Sequence, residues 1–212
     1  MKIKHLLLSF CLSGLLLTSF KEKNKIKVAC VGNSITEGVG LPEQEKYPAI
    51  LQNYLGNKYE VRNFGLSGRT LLKKGDQPYW NETRYQEVLS WRPDIIIVKL
   101  GTNDSKPQNW KFRSEFCDDY VAFLKSLKGI AGKPKIYACY PIPVFEDKWG
   151  ISERVVKNEI IPTIEKAARK TKVKVIDLHT PFLGRNSFTY DGVHPNGEGN
   201  ALLASVIFRS IK

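Results

Sequence analysis

Cysteine and histidine are scarce: four of one and three of the other in 212 residues, with no C-x-x-C pair. No Cys/His spacing of the kind that holds zinc occurs either, so neither a metal nor an organic cofactor is expected. Cys11 falls in an apolar N-terminal run, and the remaining Cys30, Cys117 and Cys139 are an odd number spread too widely for a disulfide framework. No apolar run reaches the ~20 residues a bilayer-spanning helix needs. There is also no internal repeat, low-complexity tract or linker that would mark a second domain. Acidic residues are outnumbered, 21 Asp+Glu against 33 Lys+Arg, which gives a formal charge of +12. Such an excess fits a nucleic acid, an anionic surface or an acidic substrate, or simply solvated lysines on a soluble protein. No aromatic-interleaved basic stripe and no nucleic-acid motif accompanies it, so no nucleic-acid partner is expected. With 42% hydrophobic and 25% charged residues the chain is an ordinary globular one and not a disordered or collagenous one.

Part of the charge sits in a leader. Lys2 and Lys4 precede an apolar run over residues 6–17, and Thr18 and Ser19 supply small residues before a polar, lysine-rich stretch. A charged start, a short apolar middle and a small-residue cleavage site describe a secretory signal peptide. Residues 1–20 are therefore expected to be removed and residues 21–212 to form one exported domain, with no stable membrane insertion. Loss of Lys2 and Lys4 lowers the formal charge from +12 to +10.

Beyond the leader, short β-branched runs alternate with longer stretches of helical period. The runs at 26–31, 59–63, 94–100, 135–140 and 174–178 are apolar enough for strands buried on both faces of a parallel sheet. Between them, 47–55, 82–91, 112–130, 152–170 and 196–211 read as helices; Tyr120, Phe123, Leu124 and Leu127 show the spacing. This alternation implies βαβ units and a three-layer α/β/α sandwich with a five-stranded parallel sheet. In such sheets ligands sit beyond the carboxyl ends of the strands, which directs attention to the segment after each strand.

After the first strand comes Gly32-Asn33-Ser34-Ile35-Thr36-Glu37-Gly38. A serine in a strand-to-helix turn is held out of the core near free N–H groups, and it reads equally as a helix N-cap. Ahead of the last helix stands Asp191-Gly192-Val193-His194-Pro195-Asn196. Pro195 suits the first turn of that helix, and Asp191 can fold back across a glycine turn onto the imidazole. An imidazole backed by a carboxylate is what a serine hydroxyl needs to become a nucleophile. Donors for an oxyanion are available at two further strand ends, from the Gly65 N–H and the Asn103 side-chain amide, which also read as a glycine turn and an Asx turn.

The four segments, in this order, resemble the SGNH subgroup of the GDSL esterase and acylhydrolase family, over about residues 28–206. The subgroup's four name-giving residues correspond to Ser34, Gly65, Asn103 and His194. The resemblance implies a flavodoxin-like fold, Ser34 as nucleophile, His194 as base and Asp191 as the acid that orients it. It also implies an oxyanion hole of the Ser34 and Gly65 N–H groups with the Asn103 amide. Asn33 stands where the family motif has Asp, and Ile35 where it has Leu.

Asp104, beside Asn103, is a rival for the triad acid, but Asp191 has the shorter covalent path to His194. Tyr140, Ile142 and His179 follow the fourth and fifth strands and are candidate substrate contacts, with a structural role as the alternative for His179. Trp80, Trp110 and Trp149 are candidate sugar platforms or loop anchors, and Glu37 complements a helix start. The expectation is a serine esterase acting on a small acyl group, most simply acetyl, on a carbohydrate. No long apolar lid is present to shelter a fatty chain, and the Gly-Asn-Ser-Ile-Thr opening is similar to that of carbohydrate O-acetylesterases. A lysophospholipase or thioesterase is the rival within the family, and a non-catalytic glycan-binding protein the rival outside it. The oligomeric state is not legible.

Overall fold

The computed structural model describes residues 25–212; the expected leader lies outside the described residues. Five strands form where the β-branched runs fall: β1 Ile26–Gly32, β2 Tyr59–Gly65, β3 Ile95–Lys99, β4 Lys135–Cys139 and β5 Lys174–Ile176. All pair in parallel in the order β2-β1-β3-β4-β5, the flavodoxin-like arrangement, with its switch point between β1 and β3.

Strand β3 begins later and β5 ends sooner than the apolar runs at 94–100 and 174–178, each next to an acidic side chain. The Asp94 carboxylate accepts the Lys27 N–H at 2.7 Å, which keeps Asp94 out of β3. Asp177 Oδ1 accepts from the N–H groups of His179 and Thr180 and turns the chain after β5.

Alternate residues of the strands feed two cores. Ala29, Val31, Ile96, Val98, Ile136 and Ala138 face the helices α3 Thr83–Trp91, α5 Arg113–Lys128 and α7 Ile161–Thr171. On the other face, Val28, Cys30, Ile95, Ile97, Tyr137 and Cys139 pack under α2 Tyr47–Leu55 and α8 Gly197–Ile211. Two short helices, α1 Ser34–Glu37 and α4 Pro107–Trp110, follow β1 and β3, and α6 Glu153–Val155 precedes α7. The helix expected over 152–170 is interrupted by a π turn, Val156–Ile160. Pro162 lies at the start of α7 and has no N–H to offer the preceding turn, which accounts for the break. No described helix is long and apolar enough to cross a membrane.

Candidate active site

The turn after β1 settles the two readings of Ser34. Asn33, fully buried, is the residue that caps α1, its Oδ1 accepting from the Ile35 N–H at 3.1 Å. Ser34 is thereby the first helical residue, and its hydroxyl is free to lie 2.8 Å from His194 Nε2. The backbone N–H of Ser34 has no acceptor among the described residues.

His194 is fixed from the opposite side. Asp191 Oδ2 lies 2.7 Å from Nδ1, while Oδ1 accepts the backbone N–H groups of His194 and Val193 at 2.6 and 2.9 Å. Burial alone raises the Asp191 carboxyl, but the hydrogen bonds from the His194 backbone and imidazole and from Val193 outweigh it and hold the group below the ordinary carboxylate value. Asp191 stays ionised, and its contact places the proton of the neutral imidazole on Nδ1, leaving Nε2 as the acceptor for the serine. Gly192 makes the turn possible with φ +83°, and a Cβ there would run into Glu146, whose neighbour Phe145 donates its N–H to the Gly192 carbonyl at 2.8 Å. Pro195 does not enter the helix: Asn196 caps α8 through the Gly199 N–H, and Pro195 bridges to Thr189.

The segment after β2 departs from expectation. The Gly65 N–H is already given to Asn63 Oδ1 at 2.9 Å, and a Cβ on Gly65 would overlap the backbone of Thr36 and Glu37. Gly65 is glycine because α1 lies against it, and it presents no free donor. Three residues on, Gly68 has φ +79° and an N–H without an acceptor among the described residues. The peptide beside it is held by Asn103, whose Nδ2 donates to the Arg69 carbonyl at 3.1 Å and keeps its second hydrogen for another partner. Ser67 Oγ donates to Glu37 Oε2, so Glu37 does more than complement a helix start: it straps this loop to α1. The sequence shows two glycines three residues apart, and only the positive φ of Gly68 in the structure distinguishes it from Gly65.

Asp104 is not a triad acid. It is fully buried and accepts the N–H groups of Leu71 and Leu72 at 2.8–3.0 Å, tying the β2 and β3 loops together. Burial pushes its carboxyl up to about 7 against the pull of those bonds.

Two of the three expected substrate contacts after β4 and β5, Ile142 and His179, are also corrected. Ile142 is 1% exposed and belongs to the α2/α8 core, so no substrate reaches it. His179 is buried and its Nε2 lies 3.0 Å from Glu153 Oε1, while Glu153 Oε2 accepts the Val144 N–H; the histidine anchors the β4 loop. Tyr140 is half-buried against the core beneath α7. Trp80 and Trp110 are anchors, donating their indole N–H to the Leu71 carbonyl and to Glu159. Trp149 is different: it is 58% exposed, and its ring centroid is 5.5 Å from that of His194. Tyr190, unremarked in the sequence, is 49% exposed, stacks on His194 at 5.8 Å and donates its hydroxyl to the Val39 carbonyl. Of the six exposed large hydrophobic side chains among the described residues, Val39, Trp149 and Tyr190 cluster at this one site.

Comparison with known proteins follows the same lines. An acetylxylan esterase of Xylanibacter ruminicola is 42% identical over 211 residues, which is 90% of this chain but 44% of that protein, so the chain spans less than half of its length. The structure of the acetyl xylan esterase AlAXEase superposes with a TM-score of 0.71 at 25% identity, covering 88% of this chain and 100% of the other. Est24, a carbohydrate acetylesterase from Sinorhizobium meliloti, gives 0.69 at 22% identity over 88% and 98% of the two chains and shares the fold. The model of the GDSL-like lipase/acylhydrolase family matches residues 30–202, and the chain belongs to that family.

Proposed function

We propose that the protein is an exported serine esterase that removes acetyl groups from carbohydrate through an acyl-Ser34 intermediate. The observation that carries this is the Ser34–His194–Asp191 chain of contacts at 2.8 and 2.7 Å. Ser34 Oγ attacks the ester carbonyl as His194 Nε2 takes its proton. The sugar oxygen then leaves, receiving that proton from the imidazolium that Asp191 steadies. Water attacks the acyl-serine by the same relay, giving up a proton to Nε2, and acetate departs as Ser34 recovers its hydrogen. Negative charge on the carbonyl oxygen meets the Ser34 and Gly68 N–H groups and the second hydrogen of the Asn103 amide.

The substrate class rests on two supports. Exposed aromatic rings beside the base, Trp149 and Tyr190, offer flat faces to a pyranose ring, and the similar proteins named above are acetylxylan or carbohydrate acetylesterases. The test is acetate release from O-acetylated xylan together with an acyl-chain series of aryl esters. Release that disappears in Ser34→Ala, with acetyl turned over faster than octanoyl, is the expected result; faster octanoyl turnover makes the protein a long-chain acylhydrolase instead. Export is tested by N-terminal sequencing of protein from the cell exterior or periplasm, expected to begin near residue 21; retention of the leader in the cytoplasm overturns it.

A further inference from the structure

The end of the sheet opposite the catalytic residues carries a second recognition feature. A recess of about 720 Å³ opens where β1, β3 and β4 begin and α8 ends, and Lys25, Lys133, Lys135 and Lys212 line it. A neighbouring recess of about 300 Å³, between the starts of β4 and β5, is lined by Lys128, Lys172 and Lys174 and shares Lys135 with the first. Asp94 is the acidic side chain lining the pair, and its carboxylate is engaged by the Lys27 N–H. Among the described residues none of these seven lysines forms an ion pair.

Helix ends explain part of this. Lys128 and Lys212 stand at the carboxyl ends of α5 and α8, where cations complement the helix dipole. Lys133, Lys135 and Lys174 do not, since they sit in a turn and at the first residues of strands, where no dipole calls for them. Mutual repulsion of unpaired lysines around a concave surface is relieved by an anion, and a concave surface focuses the field.

We infer that these joined recesses bind a polyanionic polysaccharide, a uronate-bearing chain, and so hold the enzyme on a polymer whose acetyl groups the opposite end removes. The glycan nature of the polymer rests on the proposed carbohydrate substrate; the requirement for negative charge does not. The lining favours a carboxylate chain over the other polyanions. Lysine supplies point charges without the bidentate fork that arginine offers phosphate. The two aromatic rings of the lining offer no platform for successive bases, since Tyr137 is buried and Tyr59 is partly buried against the α2/α8 core. A concavity suits a chain, whereas a membrane surface is broad and needs an apolar wedge beside the charge.

The test uses soluble glucuronoxylan, the same polymer after carboxyl reduction, anionic vesicles of phosphatidylserine and phosphatidylcholine, and duplex DNA. Binding is measured by affinity electrophoresis or co-sedimentation for the full protein and for Lys135→Glu/Lys174→Glu/Lys212→Glu. A second variant with Gln at the same three positions, checked by thermal melting, guards against misfolding. Glucuronoxylan is expected to bind the wild type roughly tenfold or more tightly than either variant, and the advantage is expected to fade with added salt. Turnover of a small aryl acetate should be the same in all three proteins, so failure of the surface and failure of the esterase reading remain separate. Equal binding of the carboxyl-reduced polymer, undiminished binding by both variants, or tighter binding to vesicles or DNA than to glucuronoxylan each overturns the inference.

Discussion

Where the strands end, the molecule buries polar groups and ties most of them into hydrogen bonds; where the strands begin, it gathers lysines that form no ion pairs among the described residues. Asn33, Asn103, Asp104 and Asn109 are buried at the first end and each makes hydrogen bonds to neighbouring loops. At the second end lysines line two recesses without ion pairs. The difference follows from chain direction. In a parallel sheet all strands point one way, so the helix starts with their unused N–H groups collect at one end and the helix stops at the other. One end is suited to stabilising a developing negative charge; the other accumulates cations.

Substitutions at the first end should therefore destroy turnover without unfolding the protein, and the largest effect is expected at the proposed nucleophile, Ser34. Ser34→Ala is expected to lower kcat on an aryl acetate by about 10⁴-fold or more, with an unchanged melting temperature. Asp191→Asn should approach the same loss, since the imidazole then loses the partner that sets its tautomer. Steady-state kinetics beside thermal melting checks both; a comparable loss from substitution of the basal lysines would erase the distinction between the ends.

Lys99, like the Asn33 amide nitrogen, is buried without a partner, and as a cation it gives the next largest effect. It is 1% exposed at the carboxyl end of β3, and its Nζ has no hydrogen-bond partner. Burial pushes the ammonium down to about 7. Between that value and the ordinary 10.5 the unfolded chain holds a proton that the folded one has shed, so stability rises with pH across this window and levels off below it. Lys99→Met keeps the length and removes the amine. It is expected to raise stability near pH 7 by up to about 4 kcal/mol, because each unit of depression is worth about 1.4 kcal/mol, and to flatten the rise between pH 7 and 10. Asp104, raised to about 7 by burial, acts on the acid side of neutrality and should be unaffected. Denaturant melts at several pH values decide; an unchanged slope in Lys99→Met would mean that the amine stays charged.

Much of this was legible in the sequence, for identifiable reasons. Strands buried on both faces read as unbroken β-branched runs, and Ser34, Asp191 and His194 stand in short local segments whose turn residues fix their geometry. Gly65 departs from expectation because a glycine turn does not reveal whose atoms occupy the space of the missing Cβ; here they belong to Thr36 and Glu37 of α1, far away in sequence. Ile142 and Trp149 lie in one loop, and composition does not tell which of two apolar side chains turns inward. His179 was assigned two roles, and the one realised depends on Glu153, a carboxylate 26 residues upstream. Lys99 lies in the apolar run 94–100, and the sequence does not tell that its amine is buried without a partner.

The oxyanion donors give a smaller, separable effect. Asn103→Ala is expected to lower kcat by about 10²–10³ with little change in KM, the usual consequence of deleting one donor. Gly65→Ala should instead lower stability, since its methyl group would displace the α1 backbone. Measuring both kcat and the melting temperature separates the two; a catalytic loss in Gly65→Ala at unchanged stability would restore Gly65 to the oxyanion hole.

The smallest expected effect, at Trp149, discriminates best between the two ends. Its ring is exposed beside His194, so Trp149→Ala removes a stacking face without disturbing the triad, and KM for an acetylated xylo-oligosaccharide should rise about fivefold, corresponding to ~1 kcal/mol of stacking, with kcat nearly constant. A short oligosaccharide seated at the catalytic end does not reach the lysine recesses, whereas a long uronate-bearing polymer can engage both. The Trp149 variant should therefore lose affinity for oligosaccharide and polymer alike, and the lysine variants for the acidic polymer alone. A Trp149→Ala enzyme that is impaired only on the polymer would place the aromatic face on the path of the distant chain and join the two ends into a single binding surface.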